Sequence, residues 1–167
     1  MSEDPELEKA LKDHDRLQAV TESGLLDSPL DSIFEDLTDA VQMELGVPMS
    51  LVTIIEVKRQ FFKSSRGLPP DVAAKRETPM EDSACQYVVK KRSLIVIDDV
   101  QQDPMFKMHA GLRKINAGSY LGVPLFHQGE IIGSVCAIDT KPRKWTEKEI
   151  DFMEEKASSL KTELSGN

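Results

Sequence analysis

Two cysteines, three histidines and a short run of aspartates are the residues of this chain that could do chemistry, and each also has a plainer use. Cys85 stands in SACQYVV, within the first turn or two of a helix predicted there, where the helix dipole lowers a thiol pKa. That makes it a chemically sensible nucleophile. A redox cycle also needs a resolving partner, and Cys136 falls in the middle of a predicted strand; buried cysteine ordinarily behaves as a small hydrophobe, which is the expectation for both. His14, His109 and His127 are scattered over a terminal helix, a long loop and a turn, so their spacing forms no metal-ligand set. Asp98, Asp99 and Asp103 cluster at a strand end where they could hold a cation or orient a ligand, although capping and turn formation are the expected use. No nucleophile-elbow pattern is present. No catalytic or metal-binding residue is therefore assigned, and the chain is expected to bind rather than catalyse.

Composition sets the frame for whatever positions these residues. The 167 residues carry a formal charge of −8 and 40% hydrophobic content, enough for one domain with a real core. No apolar run approaches the roughly 18 residues that span a bilayer. The opening MSEDPELEKALKD is polar and acidic where a signal peptide is basic and then apolar. A cytoplasmic protein with no membrane contact is expected. The acidic balance argues against nucleic acid, and the lone basic cluster Lys90, Lys91 and Arg92 reads as a solvated helix end matching the dipole. Two cysteines are too few for a disulfide framework and suit reduced thiols.

Residues 5–23 space Leu7, Leu11, Leu17 and Val20 as one helix ending at Gly24. A second helix is predicted from Ser28 as N-cap with Pro29 at its first position, carrying Phe34, Leu37, Val41 and Leu45 to a stop at Gly46. Residues 49–57 and 60–65 read as a hairpin, and 66–77 as a loop with Pro69 and Pro70. Thr78 to Glu81 matches a capping box, with Asp82 or Ser83 as other helix starts. Residues 94–98 form a short strand, and 99–117 an irregular connection with a helical turn near 104–107. Long connections of this kind are usually functional. Thr146 to Glu149 is another capping box, followed by Ile150, Met153, Ala157, Leu160 and Leu164 in steps of three and four, a stripe that packs on a sheet or pairs with a second copy.

The stretch SYLGVPLFHQGEIIGSVCAIDT is a hairpin apolar on both faces, turning at Gln128-Gly129. An uninterrupted register places Leu121, Val123 and Leu125 opposite Cys136, Ser134 and Ile132, with Tyr120, Gly122, Pro124 and Phe126 opposite Ala137, Val135, Gly133 and Ile131. Both faces must then be covered. Helices from the chain ends cover one and leave the middle loops to roof the other, where a pocket would lie. Pro124 requires its other neighbour to be short, and residues 94–98 fit.

The order of elements, RLQAVTESGLLDSPLDSIFEDLTDAVQMELGVPMSLVTIIE, SACQYVV, LIVIDDVQQDPMF and GSYLGVPLFHQGEIIGSVCAIDTKPRKWTEKEIDFMEEKASSL together resemble a GAF domain. More narrowly, the chain resembles bacterial GAF modules found beside histidine kinases and diguanylate cyclases. The resemblance covers residues 16–160. It implies an α+β fold: a central antiparallel sheet of five to six strands, N- and C-terminal helices on one face or at a dimer interface, and pocket loops and short helices on the other. It divides the chain into an N-terminal helical extension (1–15), the GAF domain (16–164) and a tail (165–167).

The ligand stays unknown. The Asn-Lys and Phe signature of cyclic-nucleotide GAF domains is absent; bilin-binding relatives follow their cysteine with histidine, whereas Cys85 precedes Gln86 and Cys136 precedes Ala137. The scattered histidines give no support for haem. The branch that reduces free methionine sulfoxide uses several cysteines, and its additional loop cysteine is missing here.

The expected function is a regulatory, sensory module that acts by shifting conformation. Its pocket candidates are Phe61, Phe62, Arg66, Cys85, Tyr87, Asp98, Phe106, His109, Ser119 and Tyr120. A buried Arg66 would want an anion, either from the ligand or from a neighbouring Asp. Ile150, Met153, Ala157, Leu160 and Leu164 are the candidate homodimer interface. The expected partners are an unidentified small molecule and a histidine kinase, diguanylate cyclase or other signalling protein. Two alternatives accompany this reading: a dimerisation module with a pocket filled by its own side chains, and a thiol-dependent reductase of the methionine sulfoxide type.

Overall fold

The computed structural model describes residues 4–165, with side chains described to Leu160. One antiparallel sheet contains β1 (Met49–Ile55), β2 (Arg59–Arg66), β3 (Glu77–Pro79), β4 (Ile95–Ile97), β5 (Ser119–His127) and β6 (Glu130–Asp139), in the order β3-β2-β1-β6-β5-β4. The architecture is the expected α+β one, with six strands. Among the described residues no helix is long and apolar enough to cross a membrane.

Helices α2 (His14–Ser23), α3 (Ser32–Leu45) and α7 (Glu147–Ser165) cover one face. Their Val20, Phe34, Val41, Met153 and Leu160 meet Val52, Leu121, Val123 and Val135 from the strands. The other face is roofed by shorter pieces: α1 (Pro5–Leu11), α4 (Pro70–Lys75), α5 (Gln86–Lys91) and α6 (Ala110–Lys114). There Leu7, Val88, Phe106 and Leu112 pack over Leu51, Phe62, Tyr120 and Ile138.

Four local expectations are corrected. The single helix over 5–23 breaks at residues 12–13, because Asp4 and Asp13 each cap a helix, accepting from Leu7 N (3.1 Å) and Arg16 N (3.0 Å). The break sends Leu7 and Leu11 to the roofed face and Ala19 and Val20 to the helical one. At the joint, the buried Arg16 guanidinium donates to the carbonyls of Leu11 (2.8 Å) and Ile55 (2.7 Å). Burial lowers its pKa to about 10. The second helix starts later than predicted, since Asp31 rather than Ser28 caps it, accepting from Ile33 N at 3.0 Å. The segment read as a loop contains α4, and the capping box proposed at Thr78 is instead β3, in which Thr78 pairs with Gln60. At Thr146 the capping box does form, with Thr146 N donating to Glu149 (2.9 Å) and Glu149 N to Thr146 Oγ1 (3.1 Å).

The hairpin keeps the expected turn but not the expected register. Phe126 pairs with Ile131 and Leu125 with Gly133, so Ile132 is an extra residue, a bulge. Beyond it every partner moves by one: Leu121 meets Ala137, and Gly122 meets Cys136. Cys136 therefore faces the roof with Tyr120, not the helices with Leu121. β4 pairs only with residues 120–122, so it ends before Pro124 needs an N–H. A second bulge falls at Lys63, between the pairs Val52–Ser64 and Thr53–Phe62.

Candidate functional site

Sheet and roof enclose a cavity of about 70 Å³. Leu51, Phe62, Tyr120 and Ile138 form its floor; Leu68, Val72, Ala84 and Cys85 line it from the roof side. Gly111, Leu112 and Ile115 close it from α6. Wider depressions exist elsewhere, such as one of about 400 Å³ between α1 and the segment around Met80. They lie between other elements, whereas this cavity sits where the fold itself separates sheet and roof. Its size suits a few waters or a very small molecule, well below the roughly 300–1,000 Å³ of drug-sized ligand pockets. A larger ligand must lift the roof.

A polar network holds that roof in place. Ser83 Oγ donates to Gln60 Oε1 (2.7 Å), Gln60 Nε2 donates to Thr78 Oγ1 (2.9 Å), and Gln86 Nε2 donates to the carbonyls of Met80 and Ser83 (both 2.8 Å). α6 presses against the same segment: a Cβ on Gly111 would lie 1.8 Å from the Asp82 carbonyl oxygen. At the solvent side Lys114 Nζ reaches Asp82 at 2.8 Å.

Beneath the roof lies a cluster of small polar groups. Cys85 and Cys136 Sγ are 2.9 Å apart, and the Tyr120 hydroxyl sits 3.0 Å from the first and 3.3 Å from the second. Ser134 Oγ is 3.1 Å from Cys136 Sγ and 2.8 Å from Thr53 Oγ1. Tyr120 reaches the sulfurs because it folds over Gly122, where a Cβ would lie 2.4 Å from the tyrosine oxygen. Burial pushes the Cys85 thiol up, but hydrogen bonds from Cys136, Ser134, Tyr120 and Thr53 outweigh it and bring the pKa down to about 7. Burial and the hydrogen bond and charge of Cys85 raise Cys136, while burial and both sulfurs raise Tyr120.

Of the ten pocket candidates, Phe62, Cys85 and Tyr120 line the cavity. Phe106, Tyr87 and His109 form an aromatic cluster beside it, with Tyr87 edge-on to Phe106 at 5.4 Å between centroids. His109 also caps α6, accepting from Leu112 N at 3.3 Å, and burial lowers its pKa. The remaining four lie elsewhere, each for a physical reason. Phe61 points to the helical face, under the Arg76 guanidinium, because strand neighbours alternate. Arg66 finds its anions on α3, in Asp39 (2.6 Å) and Glu35 (3.2 Å). Asp98 accepts from Trp145 N (3.1 Å) and Ser119 Oγ donates to the Lys141 carbonyl (2.9 Å), so both fasten the chain that leads into α7.

The proposed dimer stripe is also spent within the chain. Met153, Ala157 and Leu160 are buried against the sheet and Ile150 packs beside them, because a stripe at this spacing matches the apolar strand face it covers. The Leu164 side chain lies outside the described residues. Gln60, Ser83 and Gln86 carried no signal of their own in the sequence, since their role depends on β2 lying beside the roof. Among the described residues no three His, Cys, Asp or Glu converge to hold a metal ion.

A six-stranded antiparallel sheet, helical on one side and roofed over a small chamber on the other, defines the α+β class of domain to which this chain conforms. The chain belongs to the GAF domain family, whose model matches residues 29–164. It is 32% identical over 133 residues to cyclic di-GMP phosphodiesterase PA2567 of Pseudomonas aeruginosa, a match covering 78% of this chain and 22% of that protein. The chain thus spans about a fifth of that relative's length. In solved structures, the GAF domain of a phosphoenolpyruvate-protein phosphotransferase from Coxiella burnetii superposes with TM-score 0.69 at 18% identity, covering 94% of this chain and 95% of that one. The blue-light-absorbing form of the Thermosynechococcus elongatus PixJ GAF domain gives 0.64 at 18% identity, covering 92% and 89%.

Proposed function

We propose that this chain is a regulatory GAF module that binds a small molecule in the chamber between sheet and roof and turns over nothing itself. The observation that carries the reading is the division of the sheet: one face is closed by long helices, and the other keeps a cavity under short, polar-latched segments. A ligand that fits under the lifted roof would bias the latch made by Gln60, Ser83 and Gln86. The relative that hydrolyses cyclic di-GMP supports a place in bacterial signalling, with the output domain supplied by the same or a partner chain.

The test is thermal unfolding of the purified chain against nucleotides, amino acids, small anions and tetrapyrroles, with mass spectrometry of any co-purified molecule. A ligand at a hundred times its Kd stabilises by about 2.7 kcal/mol, a readily measured shift. The shift should shrink when Ala84→Leu fills the chamber. Silence across the library, with nothing co-purified, would overturn the reading.

A further inference from the structure

The junction between roof and sheet holds a pair of thiols that the proposed ligand binding does not use. Cys85 and Cys136 are 51 residues apart in sequence, on different elements, yet their sulfurs are 2.9 Å apart and both side chains are buried. A disulfide bond is about 2.04 Å long, so bonding needs an approach of under about 1 Å. The two thiols are free.

Their surroundings make them unequal. Cys85 lines the chamber, whereas Cys136 lies outside its lining, on β6. The Tyr120 hydroxyl lies within 3.3 Å of both sulfurs and can donate to a Cys85 thiolate. The hydrogen-bonded Cys85 is the more acidic of the pair, and Cys136 is held protonated beside it. An acidic thiol facing a chamber, with a protonated thiol in contact behind it, is an attacking and resolving pair. A volume of about 70 Å³ admits hydrogen peroxide and excludes a bulky disulfide such as oxidised glutathione.

We propose that Cys85 and Cys136 form a peroxide-responsive dithiol that closes to an intramolecular disulfide. In the first step the Cys85 thiolate attacks one oxygen of hydrogen peroxide and the O–O bond breaks. Hydroxide leaves and takes up the thiol's proton as water; sulfur loses two electrons and becomes the sulfenic acid, while the peroxide is reduced. In the second, Cys136 sulfur attacks the sulfenic sulfur, the S–S bond forms, the S–O bond breaks, and hydroxide leaves with the Cys136 proton as a second water. Two thiols and one peroxide give one disulfide and two waters. A dithiol reductant reverses the change by exchange. This inference does not depend on the chamber binding any other ligand, so failure of the ligand screen leaves it standing.

The experiment treats the reduced protein with hydrogen peroxide and maps the products by mass spectrometry. Wild type should lose two hydrogen atoms in a linked Cys85–Cys136 peptide pair, lose both thiols to titration after denaturation, and recover them with dithiothreitol. Cys136→Ser should instead trap a dimedone-reactive sulfenic acid on Cys85, and Cys85→Ser should give neither product. Circular dichroism confirms that each variant is folded, with Cys85→Ala and Cys136→Ala as replacements where serine is not tolerated. Exposed Met43, Met105 and Met108 report delivery, since they gain oxygen whenever peroxide is present. Oxidised methionines with both thiols intact would overturn the proposal. So would a disulfide joining two copies of the chain, or sulfenic acid forming on Cys136 as fast as on Cys85.

Discussion

The two faces of the sheet are made from the same strands and covered by opposite means. On the helical face α2, α3 and α7 run for 10, 14 and 19 residues, and Val41, Val52, Leu121 and Met153 are fully buried between them and the strands. On the roofed face α1, α4, α5 and α6 have only five to seven residues each. Isolated helices shorter than about 12 residues are marginal in water, so the roof owes its order to its contacts. The lesson is a division of labour: both covers bury a core, but one does so with long helices and the other with short segments that can open locally.

The largest test of that contrast places a charge on each side. Met153→Asp strands an unpaired carboxylate between helix and sheet and should cost more than about 4 kcal/mol, leaving the chain unfolded by circular dichroism. Leu112→Asp at the roof should leave folded protein with faster amide exchange in 80–115, because α6 can lift into water. Equal loss of fold in the two variants would erase the distinction. A smaller test compares two capping hydroxyls. Thr146→Ala and Ser83→Ala should each cost about 1 kcal/mol in urea denaturation. Only the second should speed exchange in the roof, since Ser83 alone is tied to Gln60.

The smallest effect belongs to neither cover's core. Hydrogen bonds from Arg59 and Arg66 hold the carboxyls of Asp27 and Asp39 below their usual range. Their contribution is complete above the ordinary carboxylate pKa of about 4 and lost as pH falls through the lowered values. Melting temperature in acid should show it faintly at low salt and not at high salt, because these pairs are exposed.

Much of this division was legible beforehand because period and length carry it. The stripe from Met153 to Leu160, the two-faced apolar hairpin and the Thr146 capping box are strong local patterns. α4 and β3 were not legible, being six and three residues long, mostly exposed and flanked by prolines, too short for any period to register. The site was less legible than the fold. Phe61 and Phe62 are equivalent as residue types, and only β2's placement decides which meets the chamber. Arg66 found acids on a helix that sequence distance could not bring near. Contact between Cys85 and Cys136 leaves no local trace, since it depends on the packing of α5 over β6 and on a register shift that alternation alone does not reveal.

That shift works like a reading frame. Were Ile132 paired with Leu125 instead of bulged, the hairpin would run without interruption, and the strand beyond it would exchange its faces. Val135 and Ala137 would then be presented to the chamber, while Ser134 and Cys136 would be pressed among the helices. Substitutions at this position ask only whether a side chain fits. Deleting the residue would remove the bulge and leave Cys136 opposite Gly122, so the register beyond the bulge, and not the side chain within it, decides what the chamber is made of.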